Sequence, residues 1–196
     1  MGAMLTGASA LAFAARLFQT SVETMEREAA AAPDGEVLFL PYLAGERTPH
    51  DDPNARGVFF GLNASTTRAD CARAAMEGVA FTLVDAQAAL RETGDAFARV
   101  SLIGGGAKSR FWARLIASSL GCDVVRHTGG ETGPALGAAR LAQVAAGADL
   151  EALASAPAIE EIIAPEPELR EGLLRRHARF ADLYRALRPT FAKAMR

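Results

Sequence analysis

Apolar positions recur at two spacings along this chain. Leu11, Ala15 and Phe18 share one helical face, with Arg16 and Gln19 off it. That period predicts a first helix from about Gly7 to about Ala30, ended by Pro33-Asp34-Gly35. EVLFLPYL is an extended apolar run, and GVFFGL is a second. The segment between them, AGERTPHDDPNARG, is rich in turn formers and reads as a loop. Thr67-Arg68-Ala69-Asp70 fits a capping box. The helix behind it presents Ala75, Met76, Val79, Ala80, Leu83, Val84 and Leu90, and Gly94 is placed to stop it in the left-handed region.

The pattern then shortens again. ARVSLIG and CDVVRH are strand-like, with a helix between them from near Ser109 to Gly121. Thr132 and Pro134 open another helix that finishes near Gly147. Beyond Pro165 and Pro167 a last helix carries Leu169, Leu173, Leu174, Phe180, Leu183, Leu187 and Phe191. The middle of the chain is thus β-α-β-α-β-α. That order predicts an α/β fold with parallel neighbouring strands.

Composition narrows the partners. Half of the 196 residues are hydrophobic, which opposes disorder. The formal charge of −2 offers no basic excess for nucleic acid. The opening MGAMLTGASALAFAA resembles a secretory leader but lacks a basic start, so a buried helix of a cytoplasmic protein is expected. No stretch reaches the roughly 18–20 apolar residues of a membrane span. Cys71 and Cys122 lack a C-x-x-C spacing and read as small buried thiols in a reducing compartment. His50, His127 and His177 are dispersed and suggest no metal framework.

One stretch raises a chemical question. In SLIGGGAKSRFW, three glycines leave a strand and lead into a helix. Such turns are where α/β proteins bind nucleotides, because missing side chains let a ligand lie against the backbone. The dinucleotide motif G-x-G-x-x-G fails at Ser109. The P-loop pattern fails at Leu102 and Ala107. A tight turn with no ligand stands as the alternative.

Other residues have plainer readings. Asp51 and Asp52 belong to a Pro- and Asn-rich turn rather than a metal site. Glu46 and Arg47 suggest a structural salt bridge. Glu77 and Asp85 read as helix-face or interface residues, and Glu131 sits before a helix start, where the dipole favours a carboxylate. His127 could face a pocket but reads as an ordinary hydrogen-bonded histidine. Trp112 lies on an apolar stripe and reads as core. Arg175, Arg176, Arg179, Arg185 and Arg188 give the last helix a basic, solvated face.

Wider stretches carry a resemblance. FLPYLAGERTPHDDPNARGVFFGLNASTTRADCARAAMEGVAFTL, LIGGGAKSRFWARLIASSLG and TGGETGPALGAARLAQVAA resemble, in the same order, the C-terminal part of the FGGY carbohydrate kinases. MGAMLTGASALAF also resembles a helical segment of that family. The resemblance covers nearly the whole chain and is weakest from about Asp149 to Glu168. Cys71 departs from it, standing where the family usually has a larger aliphatic residue.

The resemblance implies the second, nucleotide-binding lobe of an actin-like, ribonuclease-H-like ATPase fold over residues 1–196, incomplete at its N-terminal strands. It implies ATP and Mg²⁺ as cofactors, ADP as product, and a sugar acceptor. The motifs are most similar to those of members acting on D-xylulose. It places Gly105, Gly106 and Ala107 under the nucleotide, Ser109 and Arg110 near its base or ribose, and Gly7 near its phosphates. Thr132 to Gly137 come close to the adenosine pocket. It assigns no catalytic residue and no metal ligand here. The aspartate that takes the hydroxyl proton, and most sugar contacts, lie upstream in family members about twice as long. Surfaces that face the missing portion imply self-association, a homodimer being the simplest form.

Overall fold

The computed structural model describes residues 2–94 and 97–194. Its first helical region is two helices, α1 (Ala8–Leu17) and α2 (Val22–Ala31), where the periodicity predicts one. The break is a complete helix stop. Gln19 takes a left-handed φ of 52°, its N–H bonds the Arg16 carbonyl, and the Thr20 N–H reaches back to Ala15. These are the two bonds of a Schellman motif, built here without the usual glycine. Ser21 then caps α2 by accepting the Thr24 N–H at 3.1 Å.

β1 (Leu38–Leu40) and β2 (Val58–Phe60) pair antiparallel, Phe39 facing Phe59. The loop joining them closes on itself through Glu46 and Asp52, whose main chains exchange two hydrogen bonds of 3.0 and 2.8 Å. Next comes α3 (Arg68–Glu92), which starts with the expected capping box and meets Gly94 in the left-handed region. α3 is the central beam. It packs on α1, α2 and β1, and on two elements still to come. Gly78 lets β1 lie directly on it, since a Cβ there would overlap the Phe39 carbonyl.

A second sheet contains β3 (Arg99–Leu102), β4 (Asp123–His127) and β5 (Ile159–Ile163) in that order. β3 and β4 are parallel, Val100 opposite Val124. β4 and β5 are antiparallel. The expected run of parallel neighbours therefore holds for one pair only, and β2 belongs to the other sheet. Between β3 and β4 lies α4 (Arg110–Leu120), which ends on left-handed Gly121. α5 (Pro134–Ala145) and the single turn α6 (Leu150–Leu153) follow β4. α7 (Pro167–Ala194) closes the chain, contacting β1, α3 and α4.

The core lies between α3, α4, α7 and the first sheet. Phe39, Leu40, Tyr42, Met76, Phe81, Leu115, Ile116 and Phe180 are among its largest buried members. A buried charged cluster between α3 and α7 balances itself. Glu77 receives Arg73 and a two-pronged Arg176, and both arginines also reach Asp34 at 3.1 Å. Arg176 is thus a buried partner of α3, not part of a solvated face. Cys71 and Cys122 are unbridged. Among the described residues no helix is long and apolar enough to cross a membrane.

Candidate functional site

Parallel strands leave their following turns at one edge, and here both turns are glycine-rich. After β3 the chain turns at Gly104 (φ 82°) into a short 3-10 turn, Gly105–Lys108. After β4 it turns at Gly129 (φ 70°) into a second, Gly130–Thr132. The turns are joined. The Gly104 N–H donates to the Gly130 carbonyl at 2.8 Å, and a Cβ on Gly133 would stand 3.3 Å from the Gly104 Cα.

Beside them opens a cleft of about 290 Å³, lined by Ser101, Ile103, His127, Gly129, Gly130, Thr132, Gly133, Leu136, Gly137, Arg140, Ala156 and Pro157. The ring of His127 forms part of its wall. Its Nδ1 lies 2.9 Å from the Pro157 carbonyl, which can only accept, so Nδ1 carries the hydrogen. Nε2 then accepts from the Ser101 hydroxyl at 3.0 Å. The Arg140 guanidinium is held against the Ser155 carbonyl at 2.9 Å. The cleft therefore offers bare main chain, hydroxyls and one fixed imidazole.

The glycines of the first turn are not equivalent. Gly104 and Gly105 have nothing within 4 Å of the position a Cβ would take. A Cβ on Gly106 would overlap the Trp112 ring, so its missing side chain makes room for an indole. Trp112 is core, 4% exposed, its Nε1–H bonded to the Met76 carbonyl at 3.1 Å. Ala107 is buried, and its carbonyl accepts from Arg126 Nε at 2.8 Å. The Ser109 hydroxyl caps α4 by accepting the Trp112 N–H at 2.9 Å. Arg110 pairs with Glu161 at 2.7 Å. Arg126 also binds Glu161, and the two guanidinium groups hold its carboxyl below the usual carboxylate range. Gly7 stands apart, as the N-cap of α1.

So the geometry joins Gly104 and Gly105 to the Gly129–Gly133 turn. It uses Gly106, Ala107 and Ser109 beneath the surface. Sequence reasoning passed over Ser101 and Arg140. Their only signal was position, at a strand end and on the first face of α5.

Elsewhere, the described residues hold no group of three or more side chains suited to a metal. Asp52 is a brace: its carboxylate accepts the Tyr184 hydroxyl and the Asn54 N–H, each at 2.9 Å. Glu46 makes no salt bridge with Arg47's side chain; it binds main-chain N–H groups instead. A second cleft of about 260 Å³, between α3, β3 and α4, is lined by Leu83, Leu90, Phe97, Leu102, Ile116 and Val124 and is largely apolar.

Comparison with known proteins gives a consistent result. The model of the C-terminal domain of the FGGY family of carbohydrate kinases matches residues 5–146. The xylulose kinase of Escherichia coli K12 is 40% identical over 200 residues, covering 98% of this chain and 41% of that protein. A glycerol kinase of Dechloromonas aromatica is 39% identical over 175 residues, covering 86% of this chain and 33% of that protein. The crystal structure of a xyloylose kinase from Brucella ovis superposes with a TM-score of 0.84 at 35% identity, covering 97% of this chain and 40% of that one. The chain thus spans about two fifths of the length of such relatives.

Proposed function

Because the chain belongs to the FGGY family of carbohydrate kinases, matching its C-terminal domain over residues 5–146, we propose that it is the nucleotide-holding part of an ATP-dependent sugar kinase. The parent reaction transfers the γ-phosphoryl group of ATP to O5 of D-xylulose, giving ADP and D-xylulose 5-phosphate. Phosphoryl transfer depends on positioning and on neutralising charge. Mg²⁺ bound with ATP would supply that neutralisation, and the family resemblance puts its ligands largely in the portion of the relatives that this chain does not span. The carboxylate that accepts the hydroxyl proton belongs to the same portion. A cytoplasmic location, where both thiols stay reduced, fits this chemistry.

The observation that carries the reading is the glycine-floored cleft at the ends of two parallel strands. Gly129, Gly130, Gly133 and Gly137 leave main chain bare along the cleft, and Ser101, His127 and Thr132 line it too, while Gly104 and Gly105, on the turn bonded to it, face open space. Gly7 serves the phosphates. Gly106, Ala107, Ser109 and Arg110 belong to this reading as the turn and helix start that follow Gly105.

The test is calorimetric titration of the 196-residue chain with adenosine and ADP. Gly105→Val is expected to weaken both by about tenfold or more, roughly 1.4 kcal/mol, at unchanged melting temperature. Unaltered affinity in that variant would remove the cleft from consideration. With MgATP and D-xylulose, the chain alone is expected to show no turnover near ordinary kinase rates of about 1–100 s⁻¹. A second reading, glycerol as acceptor, draws on the glycerol kinase relative. Product analysis on a protein carrying both lobes separates the two.

A further inference from the structure

A buried carboxylate is costly unless donors or a cation meet it. Among the described residues, Glu46, 1% exposed, is met by main-chain donors. Its Oε1 accepts the N–H of Leu5 at 2.6 Å and of Arg47 at 2.9 Å; its Oε2 accepts that of Thr6 at 3.2 Å. Two of these donors come from about 40 residues away, on the strap that leads into α1. The same loop holds the strap twice more. The Thr48 N–H donates to the Ala3 carbonyl at 3.1 Å, and Gly2 lies beside Thr48, where a Cβ would stand 3.3 Å from the threonine methyl. Glu46 is itself rigid, because its main chain is locked to Asp52.

The strap has a destination. It delivers Gly7, the N-cap of α1, and no side chain caps that helix or places an acid in its first turn. Its residues Gly2 and Met4 line the apolar cleft together with Ser101, and Ser101 also lines the glycine-floored cleft. The strap therefore borders the apolar cleft that shares Ser101 with the glycine-floored cleft, and it ends at Gly7.

We infer that Glu46 is a positioning residue: by binding the Leu5 and Thr6 amides it fixes where Gly7 presents its main chain to a nucleotide's phosphates. This rests on the nucleotide reading above. Glu46 touches no ligand itself. It binds two N–H groups of the strap just before Gly7.

The experiment compares adenosine with ADP by titration of the 196-residue chain, unaltered and as Glu46→Gln. Glutamine keeps the size but sets an NH₂ against one of the amides. The expected result is a loss of about tenfold in ADP affinity, with adenosine affinity held within about twofold. A purely structural brace would move both alike. Glu46→Asp keeps the charge but shortens the reach; it should show the same split in smaller measure, and it stands in if the glutamine variant fails to fold. Equal loss for both ligands, or none for either, overturns the positioning role while leaving the nucleotide site intact. An unaltered chain that binds neither ligand overturns the nucleotide reading, and this inference with it.

Discussion

At Gly78 a helix and a strand touch through bare backbone. Any side chain on that position meets the Phe39 carbonyl. Overpacking a rigid contact costs about 1–3 kcal/mol, and the carbonyl belongs to a paired strand that cannot step aside. Gly78→Ala is therefore expected to lower stability by at least that amount, read as an earlier midpoint in urea at constant slope. A midpoint equal to that of the parent would show that α3 and β1 can separate at no cost. Gly106 repeats the situation against Trp112. A glycine required by an indole and a glycine required by a ligand look the same in a sequence. This is why GGGAKS suggested one contact surface where the structure has two. Gly105 alone of the 3-10 turn's glycines faces open space, and nothing in the string of letters distinguishes it.

At the scale of elements, the segments whose ends are written in side chains were the legible ones. Thr67 with Asp70, and Gly121, mark the start of α3 and the end of α4 as expected. The Schellman stop at Gln19 was hidden, because glutamine rarely takes a left-handed φ and the apolar spacing runs on through it. β5 was hidden for another reason: IEEII shows no alternation, and of its residues only Ile163 is buried.

Elements also meet through titrating groups. His50, from the loop between β1 and β2, stacks on Tyr184 of α7, is hydrogen-bonded to the Tyr42 hydroxyl at 3.0 Å, and lies 3.9 Å from Asp85 of α3, which pairs with His177 of α7. Burial pushes the His50 imidazole below its ordinary value, against the pull of Asp85, Glu46 and Asp52 and with the repulsion of Arg188. The folded chain thus binds this proton less readily than the unfolded one. Stability must then fall as pH drops through the ordinary histidine range near about 6.5, and the loss is complete below the folded pKa. Melting curves from pH 8 to 5 should show that decline, reduced in His50→Gln. An identical decline in both proteins would assign it to other groups.

At the scale of the whole molecule, one side is unfinished. α5 buries none of its residues, and Leu141, Leu150, Ile103 and Ile159 are all more than half exposed. Among the described residues β3 is paired on one edge only. Apolar area of this kind seeks cover. Sedimentation velocity should show association growing with concentration toward about 100 μM, and Leu141→Glu should reduce it. A monomer at every concentration would mean that the exposed side chains are too scattered to act together.

The bond from Gly104 to the Gly130 carbonyl, with Gly133 pressed on Gly104, has one more consequence. Separating the two loops breaks that bond, at a net cost of about 1 kcal/mol, so the two strand tips favour moving together.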